Sequence, residues 1–284
     1  MLYPFSGPTI QVYPHKKYGI YRLKEDKPVL IKDITSTEAE QLINSQMYVN
    51  RFQIMRDHLV QTEMSFIELI ESAKIDYKYI SQKEFEFSSY QRDRGDLINV
   101  NRLCKNYVFS FFSSVELREK QISKDLGKEG TVFFNEWKKM QKHYYNTHFE
   151  FRFIYQLRNF CHINNPVNAL YGFNSKITAL CNKTDLLHLK QYQKPIFKVD
   201  WLRLPENFNI FPIVQKSIQY LSNLSDDHMR LNKDLFLSNA NYILTQYGQI
   251  SKHKIGVAEK FSPDFKYVQE IQLTLAEQVK KYYL

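Results

Sequence analysis

An arginine and a histidine lie four residues apart in the segment FEFRFIYQLRNFCHINNP, residues 149–166. Side chains at positions i and i+4 of a helix lie on the same face, so a helical segment would point Arg158 and His162 in the same direction. Both side chains can carry positive charge, and burying them together without a partner costs free energy. The pair therefore requires an anion, which is either a carboxylate of the protein or a phosphate of a ligand.

These residue types suit metal-independent cleavage of RNA. A histidine such as His162 can exchange a proton with a ribose oxygen near neutral pH, and Arg158 can bind the scissile phosphate. Asn159 can orient either group. The structural alternative is that Arg158 pairs with a core carboxylate such as Glu150 or Glu116. In that alternative His162 lies at the C-terminus of the helix, where the helix dipole favours a cation.

Further cations lie upstream in the same region. We predict Arg152 as a second phosphate contact and His148 as a nucleic-acid-binding residue on the same stripe; the alternative is that both are core or interface residues. Lys138 and Lys142 alternate with aromatic residues such as Tyr145, which can stack on unpaired bases. The pattern is more typical of exposed lysines on helices whose aromatic residues are buried.

The segment LRNFCHINNP, residues 157–166, resembles the signature of HEPN-type proteins, in which an arginine and a following polar residue precede a histidine by a few positions. By position, Arg158 matches the motif arginine, Asn159 the polar residue and His162 the histidine. The interval here contains three residues and is shorter than the usual motif. Removing one residue rotates the histidine by about 100° around a helix, which is compatible with a working pair or with a catalytically inactive copy.

The resemblance implies a helical bundle that dimerises through the motif helices. Many members of the family are RNases of toxin–antitoxin, abortive-infection or CRISPR-linked defence, and others only bind nucleotides or partners. The hypothesis is a HEPN-like metal-independent ribonuclease or RNA-binding toxin-like protein in antiphage defence. The alternative is a non-catalytic interaction or dimerisation protein with a degenerate motif. The expected partners are RNA, a second copy of the chain, and an antitoxin or regulatory protein; no metal or cofactor is expected.

Composition limits the class of protein. The 284 residues are 43% hydrophobic, enough for a sizeable core, and the formal charge of +9 suits a polyanionic partner, although a basic proteome gives the same balance. Three scattered cysteines form neither a disulfide framework nor a zinc motif, so a reduced, cytoplasmic setting is expected. No apolar run approaches the roughly 18 residues of a membrane helix, and no Walker, GxGxxG, GxSxG or HExxH motif occurs.

Apolar spacing predicts a mainly α fold, a helical bundle with a β-hairpin near 168–181 and a short extended N-terminal segment. The resemblance implies that this bundle is HEPN-like. The predicted divisions are 1–35, 36–194 (the bundle with its hairpin) and 195–284 (a C-terminal helical region). Helices are predicted near 36–74, 88–126, 131–163, 212–249 and 265–284, with an irregular segment at 195–205. Since the helix at 131–163 is apolar around most of its circumference, it predicts a homodimer interface.

Overall fold

The computed structural model describes residues 16–24, 27–73, 94–125, 132–162, 164–171, 176–250, 255–260 and 267–284. Most of these residues are helical, and two small antiparallel sheets complete the structure, so the mainly α class is confirmed. The chain forms two compact units, a terminal unit of Met1–Ile54 with Asn232–Leu284 and a central unit of Met55–Leu231. These units differ from the predicted divisions because both ends of the chain contribute to one unit.

The described residues contain nine α-helices and seven strands. The helices are α1 (Ser36–Ser72), α2 (Arg94–Asp125), α3 (Val132–Thr147), α4 (Phe149–Cys161), α5 (Lys183–Leu187), α6 (Pro195–Arg203), α7 (Phe211–Leu231), α8 (Lys233–Tyr247) and α9 (Leu273–Tyr283). The strands are β1 (Tyr18–Lys24), β2 (Lys27–Ile34), β3 (Asn168–Tyr171), β4 (Ile177–Asn182), β5 (Asn207–Asn209), β6 (Ile255–Glu259) and β7 (Tyr267–Ile271). None of the helices in the described part of the chain has both the length and the apolar character needed to cross a bilayer.

Helix α1 begins with a capping box. The Thr35 hydroxyl accepts a hydrogen bond from the Glu38 backbone N–H at 3.2 Å, and the Glu38 carboxylate accepts one from the Thr35 backbone N–H at 2.8 Å. This exchange satisfies two backbone donors that the first turn of a helix leaves without partners. The hydrogen bond from the Thr35 backbone also lowers the pKa of Glu38.

The predicted helix at 131–163 is two helices, which corrects the expectation of a continuous one. His148 has an extended backbone (φ −109°, ψ 112°) and separates α3 from α4. The preceding residues Asn146 and Thr147 have low helix propensity. The carbonyl of Asn146 and that of Tyr145 before it accept hydrogen bonds from Arg152 of α4, so a side chain from the second helix completes the end of the first.

The terminal unit is built around a four-stranded antiparallel sheet of order β2-β1-β6-β7. Strand β1 pairs with β6 so that Ile20 lies opposite Val257, and both side chains are buried. Within the predicted extended segment 1–35, Tyr18–Lys24 and Lys27–Ile34 are therefore strands of a sheet with the C-terminal strands, and residues 1–15, 25 and 26 lie outside the described residues. The predicted helix at 265–284 is correct only from Leu273 onward, because Tyr267–Ile271 pairs with β6.

The central unit contains the large hydrophobic core, with α4 at its middle. Helix α4 packs against α2, α3 and α7 of the same chain, and its apolar residues on several sides are buried there. The apolar circumference that predicted a homodimer is therefore satisfied within one chain. This packing removes the basis of that prediction.

The segment after α4 forms the second sheet. Strands β3 and β4 make the predicted antiparallel hairpin, which is confirmed, and β5 pairs with the outer side of β4. The predicted irregular segment at 195–205 was wrong, because Pro195 begins α6. Proline is well tolerated at the first position of a helix, where its missing N–H would have no partner in any case.

Candidate functional site

Helix α4 buries its apolar residues and leaves polar residues accessible toward its C-terminus. The buried apolar residues are Phe151, Phe153, Ile154, Leu157, Phe160 and Cys161. Asn159 and His162 are exposed, and Arg158 is partly exposed. The spacing of Arg158 and His162 therefore gives two accessible side chains on one face, with Cβ atoms roughly 6 Å apart, as in any such helical pair.

The guanidinium of Arg158 lies over an aromatic ring of α2. Its Cζ atom is 3.8 Å from the centroid of the Phe112 ring. A cation at this distance is attracted to the negative face of the ring, by about 0.5–1 kcal/mol at an accessible site. Phe112 therefore supports one face of the Arg158 guanidinium, and the N–H edges of the guanidinium remain available to an anion.

His162 contacts a second ring of the same helix. Its ring centroid is 5.0 Å from that of Phe109, with the planes inclined at 60°. Phe109 and Phe112 are three residues apart on α2 and support side chains four residues apart on α4. We call Phe109, Phe112, Arg158, Asn159 and His162 together the Arg158 surface.

The two carboxylates that the structural alternative assigned to Arg158 form contacts with other residues. Glu150 forms an ion pair with Lys216 at 3.3 Å, and Glu116 accepts a hydrogen bond from the Tyr155 hydroxyl at 2.9 Å. Within the described residues, no carboxylate lies within the 4.0 Å that defines an ion pair with Arg158. The structural alternative for Arg158 therefore loses both of its proposed partners. His162 does lie at the C-cap of α4, as that alternative expected.

Arg152, the predicted second phosphate contact, is a buried residue with several partners. Its residue surface is 5% exposed, and its guanidinium pairs with Asp200 of α6. It also donates to the backbone carbonyls of Tyr145 at 3.3 Å and Asn146 at 3.2 Å. Because these contacts occupy the guanidinium inside the protein, Arg152 is not part of the Arg158 surface.

His148, the other predicted nucleic-acid-binding residue, lies at the break between α3 and α4. Its ring stacks on that of Tyr220 with centroids 3.8 Å apart and planes inclined at 16°. Burial lowers the pKa of His148, and the nearby His143 and Arg152 lower it further. A neutral stacked ring contributes no positive charge to phosphate binding near pH 7.

Thiol and metal chemistry find little support in the described residues. Cys104, Cys161 and Cys181 are all buried, and burial raises the pKa of Cys161 to about 12. Such thiols stay protonated and are poor nucleophiles. In the ranges that the structure describes, no three histidine, cysteine, aspartate or glutamate side chains are grouped so that they could hold a metal ion.

Two residues of the Arg158 surface were not identified from the sequence. Phe109 and Phe112 lie beside the buried stripe of α2 and are only partly buried. Their spacing of three residues on one helix was the available signal, but the partner helix could not be identified from it. The likeness of residues 157–166 to the HEPN signature stays a prediction from sequence. When the chain is compared with known proteins, no family model, no curated protein and no solved structure matches it.

Proposed function

We propose that this chain is a HEPN-like RNA-binding protein that cleaves RNA without a metal at the Arg158 surface. The supporting observation is that Arg158 lies over Phe112 while, among the described residues, no carboxylate is close enough to pair with it. An accessible guanidinium supported on one face by a ring keeps its N–H edges for an external anion. A phosphate diester suits those edges because it can accept two parallel hydrogen bonds.

The reaction follows from the three polar side chains. The ribose 2′-oxygen attacks the adjacent phosphorus, a new P–O2′ bond forms and the P–O5′ bond breaks. The products are a 2′,3′-cyclic phosphate and a 5′-hydroxyl end. His162 takes the proton from the 2′-hydroxyl and returns it to the departing 5′-oxygen, and Arg158 stabilises the charge on the phosphate oxygens. Asn159 orients the bound phosphate.

The second candidate is a non-catalytic RNA-binding or interaction protein with a degenerate motif. The exposure of His162 favours this candidate. Catalytic acid–base groups generally work where water is excluded, and an exposed ring edge offers little such protection. RNA binding requires Arg158 in either candidate, cleavage requires His162 as well, and a protein-interaction role requires neither residue.

The two candidates are separated by measuring binding and cleavage on the same variants. Wild type, Arg158→Ala and His162→Ala are incubated with tRNA and total RNA in the presence of a chelator. The matched controls are Arg203→Ala and His188→Ala, which remove an exposed arginine and an exposed histidine elsewhere in the central unit. We expect cleavage by wild type and both controls, with cyclic-phosphate ends, and loss of about 100-fold or more in each site variant.

The outcomes distinguish the candidates clearly. Wild type that binds RNA through Arg158 but cuts nothing supports the non-catalytic candidate. Equal cutting by wild type and both site variants removes the proposal, as does a wild type that neither binds nor cuts. The toxin-like role, which rests on the resemblance, is tested by induced expression in bacteria. Growth arrest by wild type but not by Arg158→Ala is the expected result.

A further inference from the structure

A second feature of the central unit lies beside the Arg158 surface and has no role in the reaction above. It is a cavity of about 400 Å³, within the range of small-molecule sites. We call it the lysine cavity. Its lining residues are Lys138, Gln141, Lys142, Tyr145, Phe151, Tyr155, Gln156 and Lys194. They come from α3, from α4 and from the residue that precedes α6.

The charge of the lysine cavity is positive. Lys138 forms an ion pair with Glu119 of α2 and is largely neutralised by it. Lys142 and Lys194 are exposed, and neither has a carboxylate within ion-pair distance among the residues that the structure describes. Two lysine ammonium groups at the rim of one cavity attract an anionic ligand, since each is a compact charge with three donors.

The cavity also presents aromatic rings. The rings of Tyr145 and Tyr155 have centroids 6.1 Å apart and are nearly perpendicular, at 87°. The Tyr145 hydroxyl accepts a hydrogen bond from Gln156 Nε2 at 3.0 Å. Burial raises the pKa of both tyrosines, and the hydrogen bond to Glu116 raises that of Tyr155 further. Both rings are therefore neutral at pH 7 and do not repel an anion.

One residue joins the cavity to the Arg158 surface. The Tyr155 ring lines the cavity, and its centroid is 5.1 Å from that of Phe112. Phe112 in turn supports the Arg158 guanidinium at 3.8 Å. Tyr155 and Arg158 are about 5 Å apart along the axis of α4. The cavity and the Arg158 guanidinium are therefore neighbours, separated by the contact between the Tyr155 and Phe112 rings.

We propose that the lysine cavity holds one unpaired nucleotide of the RNA strand whose scissile phosphate binds Arg158. The base packs against Tyr145 and Tyr155, and Lys142 and Lys194 contact the phosphate of that nucleotide. Base stacking on aromatic rings tolerates all four bases and requires the base to be unpaired, so the site selects single-stranded RNA without a strict sequence. This inference rests on the proposed function for the identity of the chain that enters the cavity.

The test measures binding to the cavity separately from cleavage. Adenosine 5′-monophosphate, adenosine and inorganic phosphate are each titrated calorimetrically into the full chain. A 2′-O-methyl trinucleotide, which lacks the attacking hydroxyl, then competes with the monophosphate. The variants are Lys142→Glu and Lys194→Glu. The matched controls are Lys139→Glu on α3 and Lys198→Glu on α6, both exposed lysines outside the cavity.

We expect the monophosphate to bind more tightly than adenosine or phosphate alone, and the trinucleotide to displace it. Each cavity variant should bind the monophosphate about tenfold more weakly than wild type, and each control variant less than about twofold more weakly. Monophosphate that fails to bind, or binds equally to cavity and control variants, overturns the inference. If the trinucleotide cannot displace the monophosphate, the inference is also overturned, because the cavity would then bind free nucleotides and not an RNA strand.

Failure of this inference and failure of the proposed function give different results. Arg158→Ala with His162→Ala should abolish cleavage and leave monophosphate binding unchanged, since neither residue lines the cavity. Cleavage of RNA by a wild type that binds no monophosphate removes the cavity inference alone. If the trinucleotide displaces the monophosphate but the protein cuts no RNA, the catalytic part of the proposed function is wrong and the nucleotide subsite is supported.

Discussion

Arg152→Ala is predicted to destabilise the central unit by about 3–5 kcal/mol. The side chain forms a charge-assisted contact with Asp200, whose side chain is 13% exposed, and such a contact contributes about 1.5–3 kcal/mol. Its bonds to the carbonyls of Tyr145 and Asn146 add about 1 kcal/mol each. Removing one partner of a buried ion pair has a cost of this size, because the remaining charge is left without compensation.

The measurement is urea unfolding at pH 7 followed by tryptophan fluorescence. The two tryptophans of the chain, Trp137 and Trp201, both lie in the central unit, so the signal reports the unit that contains Arg152. Arg152→Lys should lose an intermediate amount, because one ammonium cannot reproduce the planar fork of the guanidinium. Arg158→Ala is the matched control and should cost no more than about 1 kcal/mol.

The result that would refute this reasoning is specific. If Arg152→Ala unfolds with a loss below about 1 kcal/mol and binds RNA more weakly, Arg152 is a phosphate contact, as its position in the sequence suggested. If the loss is large and the folded fraction binds RNA normally, Arg152 is a structural residue that joins α3, α4 and α6.

Three further predictions follow from other contacts. Burial, and then the nearby Arg118, lowers the pKa of His228 to about 3, so only the unfolded chain takes up a proton there below pH ~6.5. The free energy of unfolding therefore falls as the pH falls, by about 2 kcal/mol from this residue at pH 5. His228→Gln should remove that part of the pH dependence measured by urea unfolding. An unchanged pH dependence in the variant would contradict the assignment to His228. Phe112→Leu should weaken RNA binding about three- to fivefold by releasing the Arg158 guanidinium, whereas unchanged affinity would show that the ring does not position it. The inferred contacts neutralise two phosphates, one at Arg158 and one at Lys142 and Lys194. They predict that log K for single-stranded RNA falls with log salt with a slope of about −1.4, and a slope near zero would exclude a phosphate-binding role.

The sequence predicted the helices that are set by local pattern. Helix α1 was expected at 36–74 and is Ser36–Ser72, because its apolar spacing continues without interruption from a capped start. The break at His148 was not predicted, since it depends on Arg152 reaching back from the next helix. Helix α6 was missed because residues 195–205 were predicted to be irregular, whereas Pro195 occupies a position where proline favours a helix start.

The strand pairing of the terminal sheet could not be predicted from local sequence pattern, for a different reason. Strand β1 pairs with β6, so Ile20 lies opposite Val257, and a pairing across that sequence distance leaves no trace in either segment alone. Strand β7 was included in a predicted helix because its apolar residues also fit helical spacing. Short apolar segments are often compatible with both periods, and tertiary pairing decides between them.

The two arginines of α4 show what spacing can and cannot predict about the candidate site. Arg152 and Arg158 are six residues apart and therefore lie about 120° apart around the helix. Spacing correctly grouped Arg158 with His162, but it could not show that Asp200 of a helix that was not predicted lies beside Arg152. The same distinction applies to Lys138, which has Glu119 as its partner. Arg152 and Asp200 form a buried pair that joins α4 to α6, whereas the pair of Lys138 with Glu119 is partly exposed and contributes little to stability.

The cations of this region without a carboxylate partner among the described residues include Arg158, Lys142 and Lys194. Along α4, the cavity residue Phe151 and the site residue His162 are eleven positions apart, which is about 16 Å of helix. Lys142 and Lys194 line the cavity, and Arg158 lies over Phe112 toward the other end of this length. An isolated phosphate would need only one of these places. The combination of several cations with aromatic rings suits a ligand that repeats a phosphate and a base along its chain, and this supports the proposal of RNA over a small anion.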